Sequence, residues 1–204
     1  MLPQLIKNFI NKETSIYIKN YIKESNLLDQ DGKVVIYVNK SDEHNSITGF
    51  DPNMFTLFEH LDKNGQKDSL IYELLNLISH KMSHVFDFKS SDFALESVGV
   101  KILTPGIEYQ SMDMHRDNYG DRGTIYTALL YLDEDFEGGE LVTYQDNIMN
   151  EQYAILNKPS TGDLFYFDGQ TPHAVRSVTS GERSNIMLHI RSHKTWENSN
   201  KVVD

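Results

Sequence analysis

The spacing of apolar and polar residues changes character partway along the chain. Over residues 1–92 apolar positions mostly recur at helical intervals. "KETSIYIKNYIKESNLL" follows that period, and Thr14 or Ser15 stands where a helix cap is needed. "SLIYELLNLISHKMSHVFDF" (69–88) carries the strongest helical signal, with Leu70, Leu74, Leu77 and Met82 close to one stripe. Asp51 or Asn53 is placed to open a short helix over "MFTLFEHLD". One run, "GKVVIYVNK" (32–40), reads as a strand, because Val34, Val35, Ile36, Tyr37 and Val38 are β-branched or aromatic.

From residue 93 onward short strand-like runs follow one another: "ESVGVKILT", "GTIYTALLYL", "GELVTYQ", "QYAILN", "DLFYFDG", "HAVRSV" and "NIMLHIRSH". Gly138-Gly139, Pro159, Gly162, Gly169, Pro172 and Gly181 punctuate them. Regular short strands of this kind predict an all-β sandwich or barrel. The expected organisation is a mostly helical cover over 1–92, a β core over 93–194 and a tail over 195–204. No flexible linker divides them, so one folding unit is expected.

A chain of 204 residues is long enough to bury a core without covalent staples. Its formal net charge of −11 makes it a poor partner for a phosphate backbone, so no nucleic acid is expected. It has no cysteine, which excludes disulfides, thiolate metal ligands and a cysteine nucleophile. No stretch has the apolar core of a signal peptide or the roughly 20 apolar residues of a membrane span. A cytoplasmic protein, away from membranes, is the expectation.

The candidate chemistry centres on "MDMHRDN" (112–118). His115 and Asp117 are two apart, and in extended backbone such residues share a face. A metal ion is an obvious point for them to converge on. Two imidazoles and one carboxylate leave up to three positions open, the arrangement used for non-haem Fe(II) that binds a co-substrate and O₂. His173, between two strand signals in "FDGQTPHAVRSV", is the best candidate for the second imidazole. His80 and His84 are spaced i, i+4, but "HKMSH" lacks the Glu of the metalloprotease signature. His44 and His60 read as solvated, and His189 and His193 as ordinary strand-end residues. A carboxylate-bearing co-substrate needs a fixed cation, and Arg183, ten residues after His173, is the natural choice. Tyr131, which shares a strand face with Thr127 and Leu129, is a candidate hydroxyl donor to the same carboxylate. Arg122, Thr127 and Arg176 are further pocket candidates for which a structural or surface role is the simpler reading. The acidic run Asp133, Glu134, Asp135, Glu137 and Glu140 reads as a solvated turn, with attraction of a basic substrate as its alternative. Trp196 lies beyond the core, where it could cap it or line a lid.

The order "H-R-D", "YLDEDFEGGEL", "KPSTGDLFYFDGQTPHAVRSVTSGER" resembles the Fe(II)- and 2-oxoglutarate-dependent dioxygenases, and within them the prolyl 4-hydroxylase-like group. The match covers about residues 99–192. The resemblance implies a mainly β fold with α, a double-stranded β-helix (jelly-roll) core with N-terminal helices packed on it. It implies Fe(II), 2-oxoglutarate and O₂, with ascorbate a candidate auxiliary reductant. His115, Asp117 and His173 would be the iron ligands, Arg183 would pair with the distal carboxylate of 2-oxoglutarate, and Tyr131 would assist. Relatives that halogenate lack the carboxylate, so its presence argues for hydroxylation, or less often desaturation or ring formation, and against halogenation. Two departures stand out. The gap from Tyr109 to His115 is longer than usual, and Leu103-Thr104 replaces an aromatic residue often found before the Gly at 106. Both alter the loop ahead of the metal pair, where Tyr109 is a candidate substrate contact; Arg122, beyond the pair, is a second candidate.

Two other classes stay open: a metal-dependent cupin-type enzyme that does not use 2-oxoglutarate, and a non-catalytic β-helix binding module. Arg183 discriminates, since neither needs a second carboxylate anchor. The expected substrate is a peptidyl proline, an amino acid or another small molecule, and a homodimer is the expected form of any self-association.

Overall fold

The run "TIYTALLY" (Thr124–Tyr131) is buried along nearly its whole length, with Ala128, Leu130 and Tyr131 at 1% exposure or less. A strand that alternates and yet is apolar at successive positions must be covered on both faces. The structure, a computed structural model, shows how. It describes residues 3–24, 54–56, 93–105, 112–118, 124–144 and 150–192, with positions 73, 77–78, 80–81, 84–85 and 148. The elements in chain order are β1 (Gln4–Ile6), α1 (Lys12–Glu24), β2 (Met54–Thr56), β3 (Phe93–Leu103), β4 (Met112–His115) and β5 (Thr124–Tyr131). They continue with β6 (Phe136–Gly138), β7 (Leu141–Tyr144), β8 (Ala154–Asn157), β9 (Leu164–Asp168), β10 (His173–Val175), β11 (Val178–Gly181) and β12 (Arg183–Ser192).

Six strands form the major sheet, in the order β1-β9-β5-β12-β3-β2, and four form the minor sheet, β4-β10-β7-β8. Every pairing in both is antiparallel. Leu129, Tyr131, Phe165 and Phe167 of the major sheet meet Leu141, Val175 and the flanking Phe136 and Val178 in one apolar core. The opposite face of the major sheet presents Ala128, Leu130, Leu164, Ile186, Leu188 and Ile190. Phe9, Ile10, Ile18, Ile22 and Ile78 cover that face. The result is the jelly-roll core with helical cover that the sequence predicts.

Several local features differ from expectation. Asn11, not Thr14 or Ser15, caps α1: its side-chain oxygen accepts a hydrogen bond from the Thr14 N–H at 2.7 Å. Met54–Thr56 is not the start of a helix but a strand, paired with Lys101, Val100 and Gly99 at the edge of the major sheet. Ladder bonds with β3, invisible in local propensity, decide it. The described residues between 73 and 85 are helical, but the stripe turns differently: Ile78 is fully buried while Leu77 is 40% exposed. Ser180-Gly181 belongs to a strand, β11, rather than to a simple turn. The strand expected over 32–40 and the side chains of Leu70, Leu74, Met82 and Trp196 lie outside the described residues. Among the described residues no helix is long and apolar enough to cross a membrane.

Helix α1 is also tied down by charge. Lys12 pairs with Glu134 at 2.6 Å, Lys19 with Asp133 at 2.7 Å and Glu182 at 3.1 Å, and Lys23 with Glu182 at 2.7 Å. These lysines recur every seven and four residues, so they share one helix face. Asp133 and Glu134 are therefore not a free acidic turn; they bind the cover. Partial burial pushes the Glu182 carboxyl up, but hydrogen bonds and charge from Lys23 and Lys19 outweigh it and hold it below its ordinary 4.5. The unfolded chain then binds the extra proton, so this contribution is complete above pH 4.5 and is lost as pH falls through the folded value. Replacing Glu182 by Gln should cost about 0.5–1 kcal/mol near neutrality, as expected for a partly exposed network. The deficit should shrink towards zero between about pH 5 and about pH 3. Urea midpoints followed by circular dichroism measure this; a deficit that stays constant with pH would contradict it.

Candidate metal centre

His115 ends β4 and His173 begins β10, and the antiparallel register sets the two directly opposite. Their rings stand 4.2 Å apart, centroid to centroid. Asp117 is not on the strand; it follows at a bend two residues past His115, and its side chain turns back into the gap. Its Oδ1 lies 3.6 Å from His115 Nε2 and its Oδ2 lies 3.5 Å from His173 Nε2. One ligand atom from each of the three sits within 4.8 Å of the others, close enough to hold a single metal ion with small ring rotations.

Each imidazole is aimed by the backbone behind it. His115 Nδ1–H donates to the Asp113 carbonyl at 2.7 Å, and His173 Nδ1–H donates to the Thr171 carbonyl at 3.0 Å. With Nδ1 carrying the proton, each neutral ring keeps its Nε2 lone pair available to a metal, while a protonated His115 turns Nε2–H to Asp117. Phe167, fully buried, packs on the His173 ring at 4.6 Å. Burial pushes the His173 imidazole down to about 4, against the pull of Asp117, so the ring is neutral and ready to coordinate. Burial also opposes a charged Asp117. A hydrogen bond from His115 in its protonated form, the positive charge that His173 and His189 carry when protonated, and the Thr127 hydroxyl overcome it and hold the carboxyl well below the carboxylate range. His115, half-buried and paired to Asp117, ends above its ordinary value.

Two residues that sequence reasoning set aside belong to this group. The Thr127 hydroxyl donates a short hydrogen bond to Asp117 Oδ2. His189 is not at a strand end: it sits within β12 opposite Thr127, with Nε2 at 3.7 Å from the same Oδ2. The period-two alternation of "NIMLHIRSH" already put His189 on one face with Asn185 and Met187, but only the register of β12 against β5 shows that this face meets Asp117.

A second polar cluster lies on the same inner face. Arg183, 1% exposed, donates from Nη1 to Asn185 Oδ1 at 2.6 Å and from Nη2 to the Tyr131 hydroxyl at 2.8 Å. Its Nε is buried without a hydrogen-bond partner, and among the described residues no carboxylate pairs with it. Asn185 was not singled out by the sequence. The Gly138-Gly139 pair makes room here: Gly139 has φ +65°, and a Cβ on it would come within 3.0 Å of Arg183 Cδ. Arg176 faces outward, 3.7 Å from Glu151. His80 and His84 stack edge to face at 4.8 Å on the helical cover. Tyr109, Arg122, His44, His60 and His193 lie outside the described residues.

Similarity to known proteins can be set beside this geometry. Residues 106–191 match the 2OG-Fe(II) oxygenase superfamily. Prolyl 3-hydroxylase 2 of Rattus norvegicus and of Homo sapiens are each 38% identical over 65 residues, 31% of this chain. The matched part is 9% of those longer proteins. A prolyl hydroxylase from Trichoplax adhaerens, solved with a hypoxia inducible factor oxygen degradation domain peptide fragment, superposes with a TM-score of 0.64 at 19% identity, over 97% of this chain and 86% of that one. The viral collagen prolyl hydroxylase of Paramecium Bursaria Chlorella virus-1, solved with 2OG, gives 0.59 at 19% identity, over 94% and 96%. At such identities the structural likeness is one of fold. The sequence match to the 2OG-Fe(II) oxygenase superfamily spans residues 106–191, which hold both polar clusters.

Proposed function

We propose that this chain is an Fe(II)- and 2-oxoglutarate-dependent oxygenase that hydroxylates an unactivated C–H bond, with a peptidyl proline as its substrate. The observation that carries the reading is the pairing, on one interior face, of a His-Asp-His cluster with a buried guanidinium that no carboxylate neutralises among the described residues. A buried cation without a counter-ion is costly, and a bound diacid would neutralise it. The donor set also fits the metal: neutral imidazoles and one ionised carboxylate suit Fe(II) and leave positions for a co-substrate.

In this reading His115, Asp117 and His173 hold the iron, and Arg183 holds the far carboxylate of 2-oxoglutarate. When bound, iron with 2-oxoglutarate and O₂ supplies an oxidant able to break an unactivated C–H bond, with succinate and CO₂ released. The chain's own work is positional. Asn185 and Tyr131 lock the guanidinium fork from two sides. Because the Tyr131 oxygen accepts from Arg183, its own O–H is available to donate to the same carboxylate. Phe167, Leu129 and Val175 line the interior with apolar surface and keep bulk water from it. Proline enters through the proteins that share the fold or the sequence match, which are named as prolyl hydroxylases.

Two measurements test this. Mn(II), bound as a stand-in for Fe(II) and followed by electron paramagnetic resonance, should bind the wild-type chain. Binding should be lost in His173→Ala and retained when His80 and His84 are both changed to Ala; dependence on the helical pair instead would move the site. Succinate production with Fe(II) and 2-oxoglutarate should rise with proline-containing peptides, and the peptide should gain one oxygen atom. Arg183→Gln should raise the 2-oxoglutarate KM on the order of 30-fold or more, as for loss of a buried charge partner. Turnover only with free amino acids would replace the peptidyl substrate, and no turnover of 2-oxoglutarate at all would reject the oxygenase reading.

A further inference from the structure

The inner face of β12 carries Arg183, Asn185, Met187 and His189 at alternate positions. The reading above uses the first two. His189 stands at the metal end of the same face, 3.7 Å from Asp117 Oδ2, and it is only one-fifth exposed. Three independent features converge on this contact. His189 lies directly across from Thr127 in the β5–β12 ladder, so both side chains leave the major sheet side by side. Thr127 already donates to the same oxygen, Oδ2, and not to Oδ1. The pairing of β12 with β3 also shifts register between His189 and Ile190, where Glu96 is left unpaired between Ser97 and Leu95. The extra residue is in β3, so the bend belongs to β3 where it runs beside His189; such bulges gather beside active sites.

We infer that His189 is a positioning residue for Asp117: from 3.7 Å, beyond hydrogen-bond range, the polar edge of its ring acts with the Thr127 hydroxyl to draw Oδ2 toward the major sheet, restraining the carboxylate that faces the His115–His173 pair. Asp117 needs such a hold because it follows the strand at a bend, where no ladder bond fixes its side chain. The consequence is a carboxylate held in one orientation. A carboxylate free to swing and chelate through both would occupy a position that a co-substrate needs. This inference rests on the metal-site reading above, and it concerns orientation, not a step of the reaction.

The test uses the full chain with Mn(II) alone, titrated by electron paramagnetic resonance, and Co(II), whose visible absorption reports coordination number. His189→Leu should weaken Mn(II) binding about 10-fold, the usual scale for an outer partner of a ligand. It should also change the Co(II) spectrum. His189→Gln, which keeps an N–H donor, should restore both to near wild type. Thr127→Val combined with His189→Leu should show non-additive losses, because both groups act on one oxygen. If His189→Leu does not fold by circular dichroism, His189→Met takes its place in the comparison with Gln. Wild-type behaviour of the apolar variants, or equal losses in Gln and Leu, overturns the inference. Failure of the wild-type chain itself to bind Mn(II) rejects the metal site, and so separates the two readings.

Discussion

The registers that tie β12 to β5 and β3 decide nearly everything about the interior. Both β5 and β12 are covered on two faces, so parity alone sorts their residues. Thr127, Leu129 and Tyr131 face inward with Arg183, Asn185, Met187 and His189. Ala128 and Leu130 face the helical cover with Ile186, Leu188 and Ile190. A slip of one residue would push the guanidinium into the apolar outer core and an isoleucine into the polar interior. Neither could be relieved without unfolding, since a buried unpaired charge costs several kcal/mol. The register is therefore specified by chemistry as much as by the ladder.

The two polar clusters handle burial in opposite ways. At Asp117 the carboxylate is supported within the chain: three histidines and a hydroxyl surround it, and its ionised form is favoured despite burial. At Arg183 the compensation is incomplete. Tyr131 and Asn185 satisfy hydrogen bonds but bring no negative charge, and Nε keeps no partner. One site is thus balanced before anything binds, apart from lone pairs turned inward, while the other is left short of an anion. That asymmetry is what a chain would need to select a dianionic small molecule over water at one end while holding a cation at the other.

Much of this was legible in the residues. The succession of short strands from residue 93 marks out a β core, because strands covered on both faces read as apolar runs bounded by glycine and proline. His115, Asp117, His173, Tyr131 and Arg183 stand out because unusual residue types fall at fixed offsets within those runs. What could not be read depends on long-range pairing. Met54–Thr56 has no strong local preference and becomes a strand because β3 offers an edge. Asn11 caps α1 in place of Thr14 because the helix begins two residues earlier than Thr14, at Lys12, and the Thr14 N–H is itself one of the groups to be capped. Thr127, Asn185 and His189 acquire their roles only when β5 and β12 are laid side by side, which no single run of sequence reveals.

The start of β12 shows how cover and interior are coupled. Glu182 points to Lys19 and Lys23 of α1, Arg183 points inward, and Ser184 turns outward again to donate to Asp133. Asp133 in turn holds Lys19. The same short segment is thus gripped from outside by the helix and from inside by Tyr131. Gly181, with φ +74°, lets the chain enter it, and a Cβ there would come within 2.3 Å of the Asp135 carbonyl. Pulling the helix away would free the residues on either side of Arg183 and, with them, the angle of its side chain. The ion pairs on α1 are individually modest, but their position makes them a restraint on the guanidinium, not merely a contribution to overall stability.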